Sequence, residues 1–151
     1  MRALSSLLLV CVAAVAAPCQ RAPESVIFGR WRVAGSRCPT ACAIGAAAAR
    51  RWLGRQVVYG DTLVRAGDGV CHDPRYGVAY WPSNGRYGGA RLSDFGIVAD
   101  SAMVVEIRCP SQTRPGVSDP RWPVWGAFAV VKDSDHLFVI WESRWFALTR
   151  L

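Results

Sequence analysis

Residues 125–150, WGAFAVVKDSDHLFVIWESRWFALTR, decide the fold class. Three apolar, aromatic-rich runs, 125–131, 136–141 and 145–150, are separated by Asp133-Ser134-Asp135 and Glu142-Ser143-Arg144. Each run is too short for a free-standing helix, and each break is rich in turn residues. The pattern predicts three strands in a tight antiparallel meander.

Further strands are predicted upstream. Residues 102–108 (AMVVEIR) place Met103, Val105 and Ile107 on one side, and 76–81 (YGVAYW) end at the turn Pro82-Ser83-Asn84-Gly85. Residues 57–64 alternate around Gly60, 86–92 form a run weakened by Gly88-Gly89, and 26–34 (VIFGRWRVA) open the domain. Only 41–53 (ACAIGAAAARRWL) reads as a helix, with Thr40 as N-cap, Gly54 past its end, and Ile44, Ala48 and Trp52 as the packing stripe. Eight strands with unprotected edges are unfavourable, and closure removes the edges. The expected fold is therefore mainly β: an antiparallel, roughly eight-stranded, closed or nearly closed barrel with one short α-helix at 41–53.

Composition agrees with one domain. The chain has 151 residues, 52% hydrophobic and 19% charged, with a formal charge of +7. Such apolar content excludes disorder, and the length excludes a two-domain cofactor enzyme. Of the basic residues only Lys132 is lysine. Arginine forks suit carboxylate, phosphate or sulfate, although a solvated positive surface accounts for them equally.

Residues 1–17 (MRALSSLLLVCVAAVAA) run from a basic start through an apolar stretch to small residues, the order of a secretory signal peptide. Ala14 and Ala16 place cleavage after residue 16, leaving 17–25 as a polar lead-in and 26–151 as the barrel domain. The apolar stretch is too short to span a bilayer, so the mature chain is expected without a transmembrane segment, in the periplasm or secreted. Pro18 argues against a lipid anchor on Cys19. Export makes Cys19, Cys38, Cys42, Cys71 and Cys109 disulfide candidates, with Cys71–Cys109 the preferred bridge. Cys38 and Cys42 can join around Pro39, or Cys19 can take either of them.

Phe28-Gly29-Arg30-Trp31 on the first strand, with Arg150 on the last, resembles the framework of lipocalins and the wider calycin group. That resemblance implies that Trp31 and Arg150 close the barrel base, the guanidinium lying across the indole. It also implies binding of small hydrophobic ligands. A helix after the first strand, the short mature chain and the lack of a long C-terminal helix depart from the lipocalin pattern.

Catalytic signatures are sparse. His72 and His136 are the two histidines, and no Gly-x-Ser-x-Gly, His-Glu-x-x-His or phosphate-binding loop occurs. Cys71 and His72, adjacent on a strand, point to opposite faces, which disfavours a thiol–imidazole dyad. Asp133, Asp135 and His136 are metal-ligand types, but Asp and Ser are also ordinary turn residues. Glu106 and Asp119 stand alone. No metal, cofactor or catalytic residue is expected.

The aromatic loops carry the binding expectation. Tyr80, Trp81, Arg86 and Tyr87 surround the 82–85 turn, and Arg121, Trp122 and Trp125 flank Pro123. Such side chains stack on sugar rings or flat ligands and hold anionic groups; equally, they can cap barrel ends as core. The expectation is an exported, non-catalytic module binding a small ligand, a glycan or an envelope protein, and not nucleic acid. The alternatives are a protein inhibitor of a cell-envelope hydrolase, or a hydrolase with a loop-assembled site.

Overall fold

A computed structural model describes residues 22–110 and 126–151. A 3-10 turn, Pro23–Ile27, precedes β1 (Gly29–Arg37), and a one-and-a-half-turn helix α1 (Ala46–Arg50) follows. Then come β2 (Gln56–Tyr59), β3 (Leu63–Ala66), β4 (Gly69–His72) and β5 (Arg75–Pro82). After a second 3-10 turn, Leu92–Phe95, the chain continues through β6 (Ser101–Arg108), β7 (Phe128–Val131), β8 (His136–Trp141) and β9 (Arg144–Arg150). Among the described residues all ladders are antiparallel, and nine strands lie in the order β4-β3-β2-β1-β9-β8-β7-β6-β5.

The sheet is mainly a meander whose two halves join through β1 and β9, from opposite ends of the chain. It curls into an open half-barrel, which corrects the expected closed eight-stranded barrel. The opening lies between β4 and β5, consecutive in sequence yet not hydrogen-bonded to each other. Their connection is Asp73-Pro74: Asp73 sits at φ 52° and donates its N–H to Thr62 O, while proline has no N–H to give a ladder. No ladder forms across this link, and side chains span the seam. Cys71 of β4 bridges Cys109, just past β6, and the Tyr76 hydroxyl of β5 donates to Gly60 O in the β2–β3 turn.

Other differences have local causes. Residues 57–64 are two strands, because the chain reverses between Tyr59 and Leu63, and β4 adds a strand that the Gly-interrupted stretch concealed. The first strand starts at Gly29, since Val26 and Ile27 belong to the 3-10 turn. The helix is confined to Ala46–Arg50 and capped by Gly45, because a Cys38–Cys42 disulfide and the Ala43 N–H bond to Glu142 O hold the preceding residues out of register. Ala49, not Ala48, is buried. Residues 86–92 make only a single bridge, Tyr87 to Ala90.

Alternation gives the sheet two apolar faces. The concave one is filled by Trp31, Val33, Val57, Tyr59, Val64, Cys71, Ile107, Leu137, Phe146 and Leu148, each at most 1% exposed. Residues from both edge strands' neighbourhoods meet in this cluster, as they must if the sheet curls around it. On the convex face, Ala102, Val104, Val130 and Trp145 are covered by Ala90, Leu92, Phe95 and Ile97 from the β5–β6 connection. Phe95 stacks on Trp145 at 3.9 Å and 12°.

At one end of the curl the 3-10 turn is locked down. The Trp31 indole donates to Ile27 O at 2.7 Å, and the Arg150 guanidinium lies 4.1 Å over the Trp31 ring. The same guanidinium donates to Val26 O, Phe28 O and Ser134 O at 2.7, 2.9 and 2.6 Å. Gly29, at φ 138°, leaves it room: a Cβ there would sit 2.7 Å from Nη1. The opposite end carries α1 and the 38–42 loop, with Ile44 and Ala49 in the concave core and Trp52 edge-on to Trp141.

Because one planar group satisfies three carbonyls, Arg150→Ala is expected to cost about 2–4 kcal/mol and Arg150→Lys to recover under half of that. Urea unfolding checks it; near-complete recovery in Arg150→Lys would assign the effect to the aliphatic stem. Replacing Cys71 and Cys109 together by Ala is expected to cost about 4 kcal/mol from chain entropy for a separation of 38 residues, against about 2 kcal/mol for the Cys38/Cys42 pair separated by 4. The reverse ranking in urea would contradict the role of the first bridge as seam closure.

Candidate functional site

The turn after β5 folds back on its own strand. Tyr87 lays its ring parallel to Trp81, 4.1 Å apart at 9°, and its hydroxyl donates to Pro82 O at 3.0 Å. The backbone on either side is equally held: Tyr87 N–H donates to Ala90 O at 2.7 Å, and Tyr87 O accepts from the buried Trp145 indole at 3.0 Å. Glycines permit this approach. A Cβ on Gly85 would overlap the Tyr87 ring, and Gly88, at φ 54°, lies where a side chain would meet Trp145 and Ile140.

The stacked pair forms one wall of an open groove of about 400 Å³ on the convex side, lined by Trp81, Arg86, Tyr87, Gly88, Phe128 and Ile140. Trp81, Tyr87, Phe128 and Ile140 are half-buried, and Arg86 is exposed. Arg86 donates once, to Gly89 O at 3.3 Å, so most of its fork faces solvent. The groove thus offers a flat aromatic wall, an apolar floor and an exposed cationic group at its lip. Such a surface suits a sugar ring or another flat body carrying an anionic substituent.

Of the residues expected at the site, the structure brings Trp81, Arg86 and Tyr87 together. Tyr80 is apart: it follows Val78 on the other face of β5 and is 64% exposed. Neighbours in sequence on a strand face opposite ways, so Tyr80 and Trp81 cannot serve one groove. Arg121, Trp122 and Trp125 lie outside the described residues, as do Asp119, Cys19 and the 1–16 segment. Gly88, Phe128 and Ile140 were not singled out from sequence. Ile140 alternates with Phe138 on the convex face of β8, a parity visible in sequence, but which loop covers that face is not.

A second hollow of about 320 Å³ lies between β1 and the Leu92–Phe95 turn, lined by Gly35, Arg37, Asp94, Phe95, Phe138 and Trp145 among others. Arg37 donates to Asp94 O at 2.8 Å and lies over Phe95 at 5.7 Å. Its guanidinium is thereby engaged in tying β1 to the covering turn.

Titratable groups elsewhere are occupied structurally. Burial pushes the Tyr59 phenol far above its ordinary value, aided by Tyr76, and Tyr76 is raised by burial and by Asp61. Both stay protonated while folded, donating to Gly126 O and Gly60 O. Asp133 is held below the ordinary carboxylate value, first by the Asp135 N–H and then by the His136 side chain, whose Nδ1 lies 2.8 Å away. The carboxylate is closing its own turn. Cys71 is buried in its disulfide while His72 is exposed. Among the described residues no group of three His, Cys, Asp or Glu side chains is placed to hold a metal, and no helix is long and apolar enough to cross a membrane.

The stack depends on the absence of a Cβ at 85. Gly85→Ala is expected to lift the Tyr87 ring off Trp81, changing near-ultraviolet circular dichroism, at a stability cost of about 1 kcal/mol. An unchanged aromatic spectrum would show that the pair tolerates the displacement.

No protein-family model matches the chain, and no curated protein or solved structure matches it.

Proposed function

We propose that this protein is an exported, non-catalytic binding module that takes its ligand in the convex groove of Trp81, Arg86, Tyr87, Gly88, Phe128 and Ile140. The observation that carries this reading is the parallel Trp81–Tyr87 pair, left half-exposed beside an arginine with one backbone contact. A purely structural stack would be expected to bury its faces; this one presents an aromatic edge and wall to solvent. The two disulfides are consistent with an oxidising, exported location. The resemblance of Gly29, Trp31 and Arg150 to the lipocalin framework supports binding over catalysis, but the filled concave face directs the ligand outside the curl.

The ligand class that fits best is a saccharide with a carboxylate or sulfate. Its apolar C–H face stacks on the aromatic wall while Arg86 engages the charge. Titration of acidic and neutral oligosaccharides, with fatty acids for comparison, is followed by tryptophan fluorescence and amide NMR. Acidic sugars are expected to perturb residues 81–88, 128 and 140, and Trp81→Ala and Arg86→Ala each to weaken binding at least tenfold. Unaltered affinity in both variants would overturn the groove. Perturbations centred on Tyr59 and Phe146 with fatty acids would instead favour an interior carrier.

A further inference from the structure

The convex face is covered over only part of its width. Beyond β9 the outward positions of β1, β2 and β3 carry Arg30, Arg32, Gln56, Val58 and Arg65, set opposite the buried Trp31, Val33, Val57, Tyr59, Val64 and Ala66. Ladder register makes them neighbours. Arg30 pairs with Val58, and Val58 with Arg65; Arg32 pairs with Gln56 on one side and Thr149 on the other. Strand geometry sets Arg30 and Arg32 roughly 7 Å apart and Arg65 about 10 Å across the sheet from Arg30.

All three arginines are exposed, and no carboxylate occupies any of these register positions. Among the described residues none of the three forms an ion pair. The carboxylates at the margin on the β7–β8 turn are otherwise engaged: Asp133 faces His136, and Asp135 lies 3.9 Å from Arg150. Three like charges on adjacent strands sum to a local positive potential that salt screens only in part and that a bound anion would lower.

The geometry points to this arginine face as a second binding surface, for an acidic polysaccharide bearing carboxylates or sulfates. It uses none of the groove residues and stands independently of that reading. The guanidinium groups do not converge on a pocket, as a single small anion would require; they spread along a surface at spacings on the scale of successive sugar units. The face curves outward, so a planar bilayer would meet it only along a narrow line, whereas a flexible chain can follow the curve. Planar forks match carboxylate and sulfate bidentately, and Val58 between Arg30 and Arg65 gives the sugar C–H groups an apolar step.

The test uses the mature full chain on immobilised polyuronate and on a sulfated polysaccharide, eluted by salt, with dissociation constants from the same polymers in solution. The variant Arg30→Gln/Arg32→Gln/Arg65→Gln is compared with Arg50→Gln/Arg51→Gln/Arg75→Gln, which removes the same charge elsewhere. Circular dichroism and urea midpoints confirm that both fold. The face variant is expected to lose at least tenfold in affinity and to elute at lower salt, while the control stays within about threefold. Equal losses in the two variants would mean attraction by net charge alone and overturn the proposal. So would failure of the native chain to bind either polymer. Binding to vesicles with anionic headgroups that is lost in the face variant, with polysaccharide binding unaffected, would overturn it in favour of a membrane surface. Loss of groove binding in Trp81→Ala with polysaccharide retention intact separates this surface from the groove.

Discussion

One guanidinium joins the two ends of this fold. Arg150 lies across Trp31 while donating to carbonyls of residues 26, 28 and 134. Those carbonyls belong to the 3-10 turn and to the β7–β8 turn, so the group ties three chain segments at one end of the sheet. Among the described residues, the β1–β9 ladder beside it is the strand pairing that joins the two runs of the meander. Without that lock, a four-strand and a five-strand sheet would share no edge, and the concave core assembled from both would lose its enclosure. Glycine at 29 is part of the same device, because φ 138° and the nearness of Nη1 together leave no place for a Cβ.

The second constraint is the seam. The two-residue link Asp73-Pro74, with the Asp73 N–H drawn to Thr62 O, does not make β5 a hairpin partner of β4, and the cylinder stays open there. Covalent and side-chain contacts take the place of a ladder: Cys71–Cys109, Tyr76 to Gly60, and Phe28 against Tyr76 at 5.2 Å. The consequence for function is geometric. A concave face packed with Trp31, Tyr59 and Phe146 offers ligands little, and the chemistry that sequence reading places at loops emerges on the convex side. There the β5–β6 connection covers one half and leaves the other to arginines.

The candidate site was partly legible. Trp81, Arg86 and Tyr87 could be grouped around the 82–85 turn because a four-residue reversal must bring its flanks together. Tyr80 was grouped with them on nearness alone, and strand parity separates it. Phe128 and Ile140 were hidden, since their contribution depends on β7 and β8 lying under a loop some fifty residues earlier. The arginine face was equally invisible as a unit: Arg30 and Arg32 show their shared parity in sequence, but Arg65 joins them only through two successive registers.

Local chemistry determined the β class, the final meander and its two turns, because short alternating runs between turn formers have few other outcomes. The pairing of a late arginine with an early indole came from the lipocalin resemblance, and the preference for a bridge between Cys71 and Cys109 from their places beside strands. Tertiary structure alone decided that the sheet has nine strands and an open seam, and that the Ala-rich segment yields little more than one helical turn. Its propensity for helix was overruled by the Cys38–Cys42 bridge and by the bond from Ala43 to the β8–β9 turn, both of which hold backbone where a helix would need it free. Which face of a strand is covered, and by what, depends on contacts between residues far apart along the chain. Periodicity reports that a face exists but not what lies against it.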